Sequence, residues 1–99
     1  MHMQLFETYR ARTNNGGHFF DRDTMRFFGL RVMREHLCNA TTTDIYFVTS
    51  ELDFYGQDRR YTVRVLRAEG SIDEVGAFRQ HASRSVALRA MRKAYEEAK

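Results

Sequence analysis

The stretch that decides the fold is Ile45-Tyr46-Phe47-Val48-Thr49, which consists of β-branched and aromatic residues. Such residues favour strands, and because the stretch is apolar on both faces we expect a central strand. A second strand is predicted at 60–65, where apolar and polar residues alternate. Its polar positions are Arg60, Thr62 and Arg64. Alternation of this kind predicts a half-buried strand whose basic face is turned to solvent.

Beyond these two strands the chain predicts a turn, a further strand and a long helix. Glu69-Gly70-Ser71 predicts the turn, and 72–78 predicts a third strand of the meander with a bulge near Gly76. Ser83 is placed to cap the helix, since its hydroxyl can accept hydrogen bonds from the N–H groups of the first turn. The core stripe expected on this helix is Ala87, Met91, Ala94 and Ala98.

The N-terminal part of the chain predicts two shorter elements. A first strand is expected over 4–9. A helix of about two turns follows, capped by Asp21 or Asp23 and ended by Gly29. Residues 30–38 fit both a helical spacing and a strand alternation of apolar residues, and we favour a strand.

Together these elements predict an α+β fold. Its antiparallel β-sheet, a three-stranded meander plus an N-terminal strand or strands, packs against the long C-terminal helix, with the short helix near the N-terminus. A chain of 99 residues suits a single domain spanning 1–99. Met1-His2 resembles a cloning remnant, and His2 is therefore left out of every functional argument.

The composition is that of an ordinary globular domain. With 42% hydrophobic and 29% charged residues, the chain is not expected to be disordered. The lone Cys38 excludes an internal disulfide and fits a reducing compartment, which we expect to be the cytoplasm. No apolar run approaches the roughly 20 residues of a membrane-spanning helix, so no membrane partner is expected.

Arginine dominates the positive charge. The chain has sixteen basic and thirteen acidic residues, and among the basic ones only Lys93 and Lys99 are lysine. Guanidinium groups suit phosphates and carboxylates, but a GC-rich coding sequence also replaces lysine by arginine. Because the arginines are scattered among acids, base composition accounts for most of them.

One group of arginines shares a predicted surface. Arg60, Thr62 and Arg64 lie on one strand face, with Arg67 at its end. They are candidates for contacts with nucleic acid or with an acidic partner, since arginine binds both phosphates and base edges. The alternative is a solvated strand face whose charges discourage edge pairing.

The aromatic residues provide a second candidate surface. The phenylalanines around the short helix are more numerous than one face can bury easily. We favour a role for them in the core, while one or two of them are candidates for an exposed patch that binds a protein partner or a second copy of the chain. The residues of this candidate patch are Phe19, Phe20, Phe27, Phe28, Tyr46 and Tyr55.

Catalytic, metal and cofactor sites are not expected. Asp21 and Asp23 near His18 form only a nonspecific pair, and helix capping already explains one carboxylate. His36 and Cys38 form a His-x-Cys pair, whereas a structural zinc site needs four ligands. Cys38 as a nucleophile would require a base, and the sequence assigns none. We therefore expect a protein that is not an enzyme.

Four sequence motifs resemble a family of small uncharacterised proteins encoded by tailed bacteriophages and prophages. The motifs are Phe19-Phe20-Asp21-Arg22-Asp23-Thr24-Met25-Arg26-Phe27-Phe28-Gly29, Tyr46-Phe47-Val48-Thr49-Ser50-Glu51, Arg60-Tyr61-Thr62-Val63-Arg64 and Val75-Gly76-Ala77-Phe78-Arg79-Gln80. The resemblance implies a phage origin and carries no activity. The order of three strands followed by an alanine-rich helix is also similar to the order in plant ethylene-response-factor and phage integrase arm-binding domains. Those domains place one face of the sheet in the DNA major groove.

Two hypotheses for function follow. The first is a non-enzymatic phage accessory protein that binds a host or phage protein in the cytoplasm of the bacterial host, for instance as an anti-defence or host-takeover inhibitor. The alternative is a small DNA- or RNA-binding module that uses the basic sheet face.

Overall fold

The computed structural model describes residues 22–52 and 58–98. Within these ranges the chain forms two helices and four strands, and their order confirms the predicted α+β class. The elements are α1 (Arg22–Phe28), β1 (Arg31–Cys38), β2 (Ile45–Leu52), β3 (Arg59–Leu66), β4 (Ile72–Val75) and α2 (Arg84–Ala98). Neither helix is long and apolar enough to cross a membrane.

The four strands of the described ranges form one antiparallel meander in the order β1-β2-β3-β4. The central pair β2–β3 is regular over eight positions, with Val48 opposite Val63. The β1–β2 register shifts between Val32 and His36, where the ladder is irregular. The strand favoured for residues 30–38 is therefore confirmed as β1, and residues predicted to form the central strand lie in β2.

One face of the sheet packs against α2. Tyr46, Val48, Val63 and Val65 form a buried cluster with Ala87 and Met91 of the helix. The helix begins as predicted, since the Ser83 hydroxyl accepts a hydrogen bond from the Val86 N–H at 3.3 Å. Of the predicted stripe, Ala87 and Met91 are buried and Ala94 is half-buried, whereas Ala98 near the end of the helix is exposed.

The opposite face of the sheet holds a second apolar cluster. Its buried members are Leu30, Val32, Ile45, Phe47 and Leu66, and the partly buried Met25 and Ile72 pack against them. Because Met25 belongs to α1, this cluster attaches the short helix to the sheet. Both faces of the central strands are thus buried, which fits the apolar character of β2 on both sides.

Two glycines end elements because the backbone there has positive φ. Gly29 follows α1 with φ 55°, as predicted for its stop position, and a Cβ at this position would lie 2.5 Å from Leu52 Cδ1. Gly76 follows β4 with φ 88°. The strand predicted to continue from 72 to 78 with a bulge is wrong in its second half, because the chain turns at Gly76 and leaves the sheet.

Several predictions concern residues outside the described ranges. These are the strand at 4–9, the cap at Asp21, the metal candidate His18 and the patch members Phe19, Phe20 and Tyr55.

Candidate functional site

The predicted basic face of β3 is buried rather than turned to solvent. Thr62 is completely buried and the Arg64 side chain is only 7% exposed. The prediction that these side chains form an exposed face is therefore wrong. Alternation correctly identified the residues that share one face of β3. That face of the sheet is covered, and Glu51 of the neighbouring strand β2 lies on it as the counter-charge of Arg64.

Glu51 is the centre of a buried polar network. Its Oε2 accepts a hydrogen bond from the Thr49 hydroxyl at 2.5 Å, and its Oε1 accepts one from the Thr62 hydroxyl at 2.9 Å. The Arg64 guanidinium donates to Thr49 Oγ1 at 2.8 Å and to Glu51 Oε2 at 3.4 Å. We call Glu51, Thr49, Thr62 and Arg64 the buried network. Its charges compensate each other, as buried charges must.

Burial and neighbouring charge act in opposite directions on Arg64. Burial lowers the pKa of its guanidinium, while the nearby Glu51 and then Glu74 raise it, and burial prevails. Glu74 lies 3.8 Å from Arg64 and is itself 42% exposed, so it is the weaker of the two ion-pair partners. The sequence did contain a signal for the network, since Thr49 and Glu51 are polar positions at strand spacing, but it was missed.

The same face of β3 holds the loop that follows β4. We call residues 76–80 the 76–80 loop. The Arg60 guanidinium donates two hydrogen bonds to the loop, to the carbonyl oxygens of Arg79 and Gln80, each at 2.7 Å. The Thr62 hydroxyl accepts a hydrogen bond from the Arg79 N–H at 2.8 Å. Just after the loop, Tyr61 and His81 exchange two backbone hydrogen bonds. Arg60 is thus occupied by the chain itself.

Arg67, the last residue of the predicted basic face, is half-exposed and forms two ion pairs. Its guanidinium lies 3.0 Å from Asp73 and 3.3 Å from Asp44. The hydrogen bond to Asp73 is the largest influence and raises the pKa of Arg67. Burial acts in the opposite direction, but Asp44 also raises this pKa, so the net shift is upward. Asp44 also accepts a hydrogen bond from the Ala68 N–H, so the cluster stabilises the turn between β3 and β4.

Three exposed aromatic residues lie in the 76–80 loop and next to it. Phe27, Phe28 and Phe78 are 82%, 39% and 40% exposed. The centroids of Phe27 and Phe28 are 4.9 Å apart and those of Phe28 and Phe78 are 6.1 Å apart, both pairs edge to face. We call these three residues the aromatic surface. It joins the end of α1 to the 76–80 loop.

The aromatic surface shares Phe27 and Phe28 with the predicted patch, and both are exposed, so the core role favoured for the phenylalanines does not hold for Phe27. The aromatic surface differs from the predicted patch in two respects. Phe78 was not predicted, because it was assigned to a strand. Tyr46 is buried beneath α2, where its ring lies 6.2 Å from that of Tyr95, so it contributes nothing to an exposed patch.

Both ends of the aromatic surface are fixed to the sheet. At one end, the Arg59 guanidinium donates to the carbonyl oxygen of Gly29 at 2.7 Å and to the Ser50 hydroxyl at 2.8 Å. Burial lowers the pKa of Arg59, and the positive charge of Arg31 lowers it further. At the other end, the Arg64 guanidinium carbon lies 5.7 Å from the centre of the Phe78 ring, within cation–π range.

Among the described residues, no group of three or more His, Cys, Asp or Glu side chains is arranged to hold a metal ion. Cys38 is exposed, and the His36 ring makes its hydrogen bond to the Arg34 carbonyl oxygen. The expectation that the protein has no metal, no cofactor and no catalytic site stays a prediction.

Comparison with protein families finds a match to a family of unknown function, DUF7447, over residues 4–92. The chain belongs to this family. The range matched by DUF7447 includes the whole buried network and the whole aromatic surface. Neither the curated proteins nor the solved structures contain a match to this DUF7447 chain.

Proposed function

We propose that this protein acts by binding another protein through the aromatic surface, and that it is not an enzyme. The observation that carries the proposal is the row of three neighbouring phenylalanines with exposed rings. Exposed apolar side chains that touch one another are typical of interaction sites, and aromatic residues are enriched in the buried centres of interfaces.

The attachment of the rings supports this proposal. Phe28 precedes Gly29, whose carbonyl oxygen is bound by Arg59, and Phe78 lies in a loop bound by Arg60 and Thr62. Side chains that are already ordered lose less conformational entropy when a partner binds. A surface of this kind can therefore bind with useful affinity although it is small.

The class of partner is proposed from the resemblance of the sequence motifs to phage and prophage proteins. On that basis the protein is a phage accessory protein that acts in the cytoplasm of the bacterial host. Its partner is a host or phage protein, and inhibition of a host defence or of a host enzyme during takeover is the most concrete form of the proposal.

The test is affinity capture from bacterial lysate with the wild type and two matched variants. Phe27→Asp places a charge on the aromatic surface, whereas Val86→Asp places the same charge at an exposed apolar position on α2, where Val86 is 45% exposed. We expect the wild type and Val86→Asp to capture the same protein and Phe27→Asp to lose it. Equal capture by all three folded proteins would overturn the proposal.

A nucleic-acid-binding module is the alternative, and the salt dependence of binding tests it. Of its candidate residues, Arg60 and Arg67 are half-exposed, while Thr62 and Arg64 are buried. Binding to duplex DNA, single strands and structured RNA is measured between about 50 and 300 mM salt, with Arg60→Ala/Arg67→Ala as the comparison. Phosphate contacts predict affinity that falls steeply with salt and a shallower slope in the double variant. Absence of binding at the lowest salt would exclude this alternative.

A further inference from the structure

Phe78 lies in a turn that two hydrogen bonds within the 76–80 loop close. The Gln80 N–H donates to the Ala77 carbonyl oxygen at 3.2 Å, and the Ala77 N–H donates to Gln80 Oε1 at 2.9 Å. The loop has positive φ at Gly76 and at Arg79, where the value is 58°. An arginine rarely adopts this conformation, because its Cβ then approaches the backbone too closely. Since neither of these two hydrogen bonds involves Arg79, its strained conformation depends on contacts with the rest of the fold.

These contacts come from Arg60 and Thr62, on the face of β3 that carries the buried network. Arg60 binds the carbonyl oxygens of Arg79 and Gln80, and Thr62 binds the N–H of Arg79. The Arg79 backbone is thus held at both its N–H and its carbonyl group. Since Phe78 directly precedes Arg79, these hydrogen bonds fix the backbone from which its ring projects.

Glu51 determines which way the Thr62 hydroxyl points. A threonine hydroxyl has one proton to donate, and here that proton goes to Glu51 Oε1 at 2.9 Å. A lone pair of the same oxygen is then available to the Arg79 N–H at 2.8 Å. Glu51 also binds Arg64, whose guanidinium lies within cation–π range of the Phe78 ring. One buried carboxylate therefore orients two of the groups that contact the Phe78 segment, Thr62 and Arg64.

We propose that Thr62 and Arg60 are positioning residues that hold Phe78 in its place on the aromatic surface, with Glu51 orienting the Thr62 hydroxyl. The residues that alternation placed on a basic binding face thus act through the 76–80 loop instead of contacting a partner. The inference rests on the proposed function for what Phe78 binds, but the positioning itself is measured without any partner.

The experiment uses the absence of tryptophan from this chain. A Phe78→Trp variant carries a single indole, and its quenching by acrylamide reports how firmly residue 78 is held. In this background Thr62→Val removes the hydrogen bonds to Arg79 and Glu51. Thr49→Val is the matched control for the Arg79 amide, since it removes the hydrogen bond that Thr49 donates to Glu51 and the one that it accepts from Arg64, but none that the loop backbone makes among the contacts described above. Amide hydrogen exchange at Arg79 is followed in the same proteins.

We expect Thr62→Val to accelerate exchange of the Arg79 amide about fivefold, as the loss of one hydrogen bond implies, and to increase quenching of the indole. Thr49→Val should leave the exchange of the Arg79 amide unchanged, and Thr62→Ser, which keeps the hydroxyl, should keep both exchange and quenching near the wild-type level. Unchanged exchange and quenching in Thr62→Val, or an equal acceleration of Arg79 exchange in Thr49→Val, would overturn the inference. If Thr62→Val does not fold, Arg60→Gln replaces it with the same expectations. Unchanged exchange and quenching in Arg60→Gln would then overturn the inference.

Failure of this inference and failure of the proposed function give different results. If Phe27→Asp abolishes capture of a partner but Thr62→Val leaves the loop unchanged, the aromatic surface binds and the positioning is wrong. If Thr62→Val loosens the loop but Phe27→Asp captures normally, the positioning is correct and the proposed function is wrong.

Discussion

The carboxylate of Glu51 and the hydroxyl of Thr62 lie 2.9 Å apart on neighbouring strands, and neither side chain is accessible to solvent. From Thr62 the contact continues to the backbone N–H of Arg79. A polar interaction inside the sheet is thereby connected to the loop that carries the exposed ring of Phe78. The stability of the fold and the position of the proposed binding surface therefore depend on some of the same residues. Different variants test the two effects separately.

Removal of the Glu51 carboxylate should destabilise the fold strongly. Glu51→Ala leaves the buried Arg64 charge without its main counter-charge, and breaking a buried pair in this way costs about 3–5 kcal/mol in the free energy of unfolding. Glu74→Gln, at the exposed second partner, should cost less than about 1 kcal/mol. Urea denaturation measures both variants.

The double variant Glu51→Leu/Arg64→Met is the control for this interpretation. Because it removes both charges, it should be less destabilised than Glu51→Ala alone. Identical urea midpoints for Glu51→Ala and the wild type would show that Arg64 does not depend on Glu51.

Replacement of Gly29 should weaken the junction between α1 and β1. Gly29→Ala forces a Cβ into positive φ and towards Leu52, and a strained backbone position of this kind costs about 1–3 kcal/mol. In a Leu52→Ala background the steric part disappears, so the same substitution should cost less there. A cost that is equal in both backgrounds would mean that the contact with Leu52 is unimportant.

Truncation of two phenylalanines should change the free energy of unfolding by very different amounts. Phe47 of β2 is fully buried within the second apolar cluster, and Phe47→Ala should reduce the free energy of unfolding by about 3–5 kcal/mol. Phe27 is 82% exposed, so Phe27→Ser should change it by less than about 0.5 kcal/mol. Thermal and urea unfolding of the two variants measure these free energies. A large loss of stability in Phe27→Ser would place Phe27 in the core and remove the aromatic surface.

The ion pair between Glu35 of β1 and Arg84 of α2 should make stability depend on pH. Burial acts to raise the pKa of the Glu35 carboxyl, but the hydrogen bond from Arg84, together with the backbone and the charges of Arg84 and Arg34, brings it below its usual 4.5. A carboxyl whose pKa is lower in the folded state contributes stability above its unfolded pKa. That contribution is lost as the pH falls through the folded pKa.

Glu35→Gln should therefore lower the free energy of unfolding near pH 7, by up to about 0.5 kcal/mol because the pair is partly exposed. The difference from the wild type should disappear at acidic pH, once the pH has fallen below the lowered pKa and the wild-type carboxyl is protonated as well. Glu97→Gln, at an exposed position of α2, serves as the matched control and should change stability little at either pH. A Glu35→Gln difference that persists unchanged at low pH contradicts the assignment.

Local sequence signals predicted the elements of the described chain well. The β-branched run at 45–49 lies within β2, Ser83 caps α2, and Gly29 ends α1, because each of these features depends on a few neighbouring residues. The error at 72–78 was also local in origin. Gly76 was interpreted as a bulge within a strand, whereas its positive φ ends the strand and places Phe78 in a loop.

The site could not be predicted in the same way. Alternation identified Arg60, Thr62 and Arg64 as neighbours on one face of β3, and this grouping was correct. It could not tell whether that face is covered, because the answer depends on residues distant in sequence. Among the contacts concerned, Arg79 binds Thr62 across 17 positions and Arg64 binds Glu51 across 13.

The sequence by itself determined the α+β class, the approximate positions of most of the described strands and helices and the grouping of polar residues on one strand face. These follow from backbone preferences and from the two-residue period of a strand, both of which are local. Only the tertiary structure decided that Arg64 is buried beside Glu51 and that Phe27, Phe28 and Phe78 meet at the surface. A charge can be buried only where a counter-charge and hydrogen-bond partners are brought to it, and the packing of distant segments brings them there.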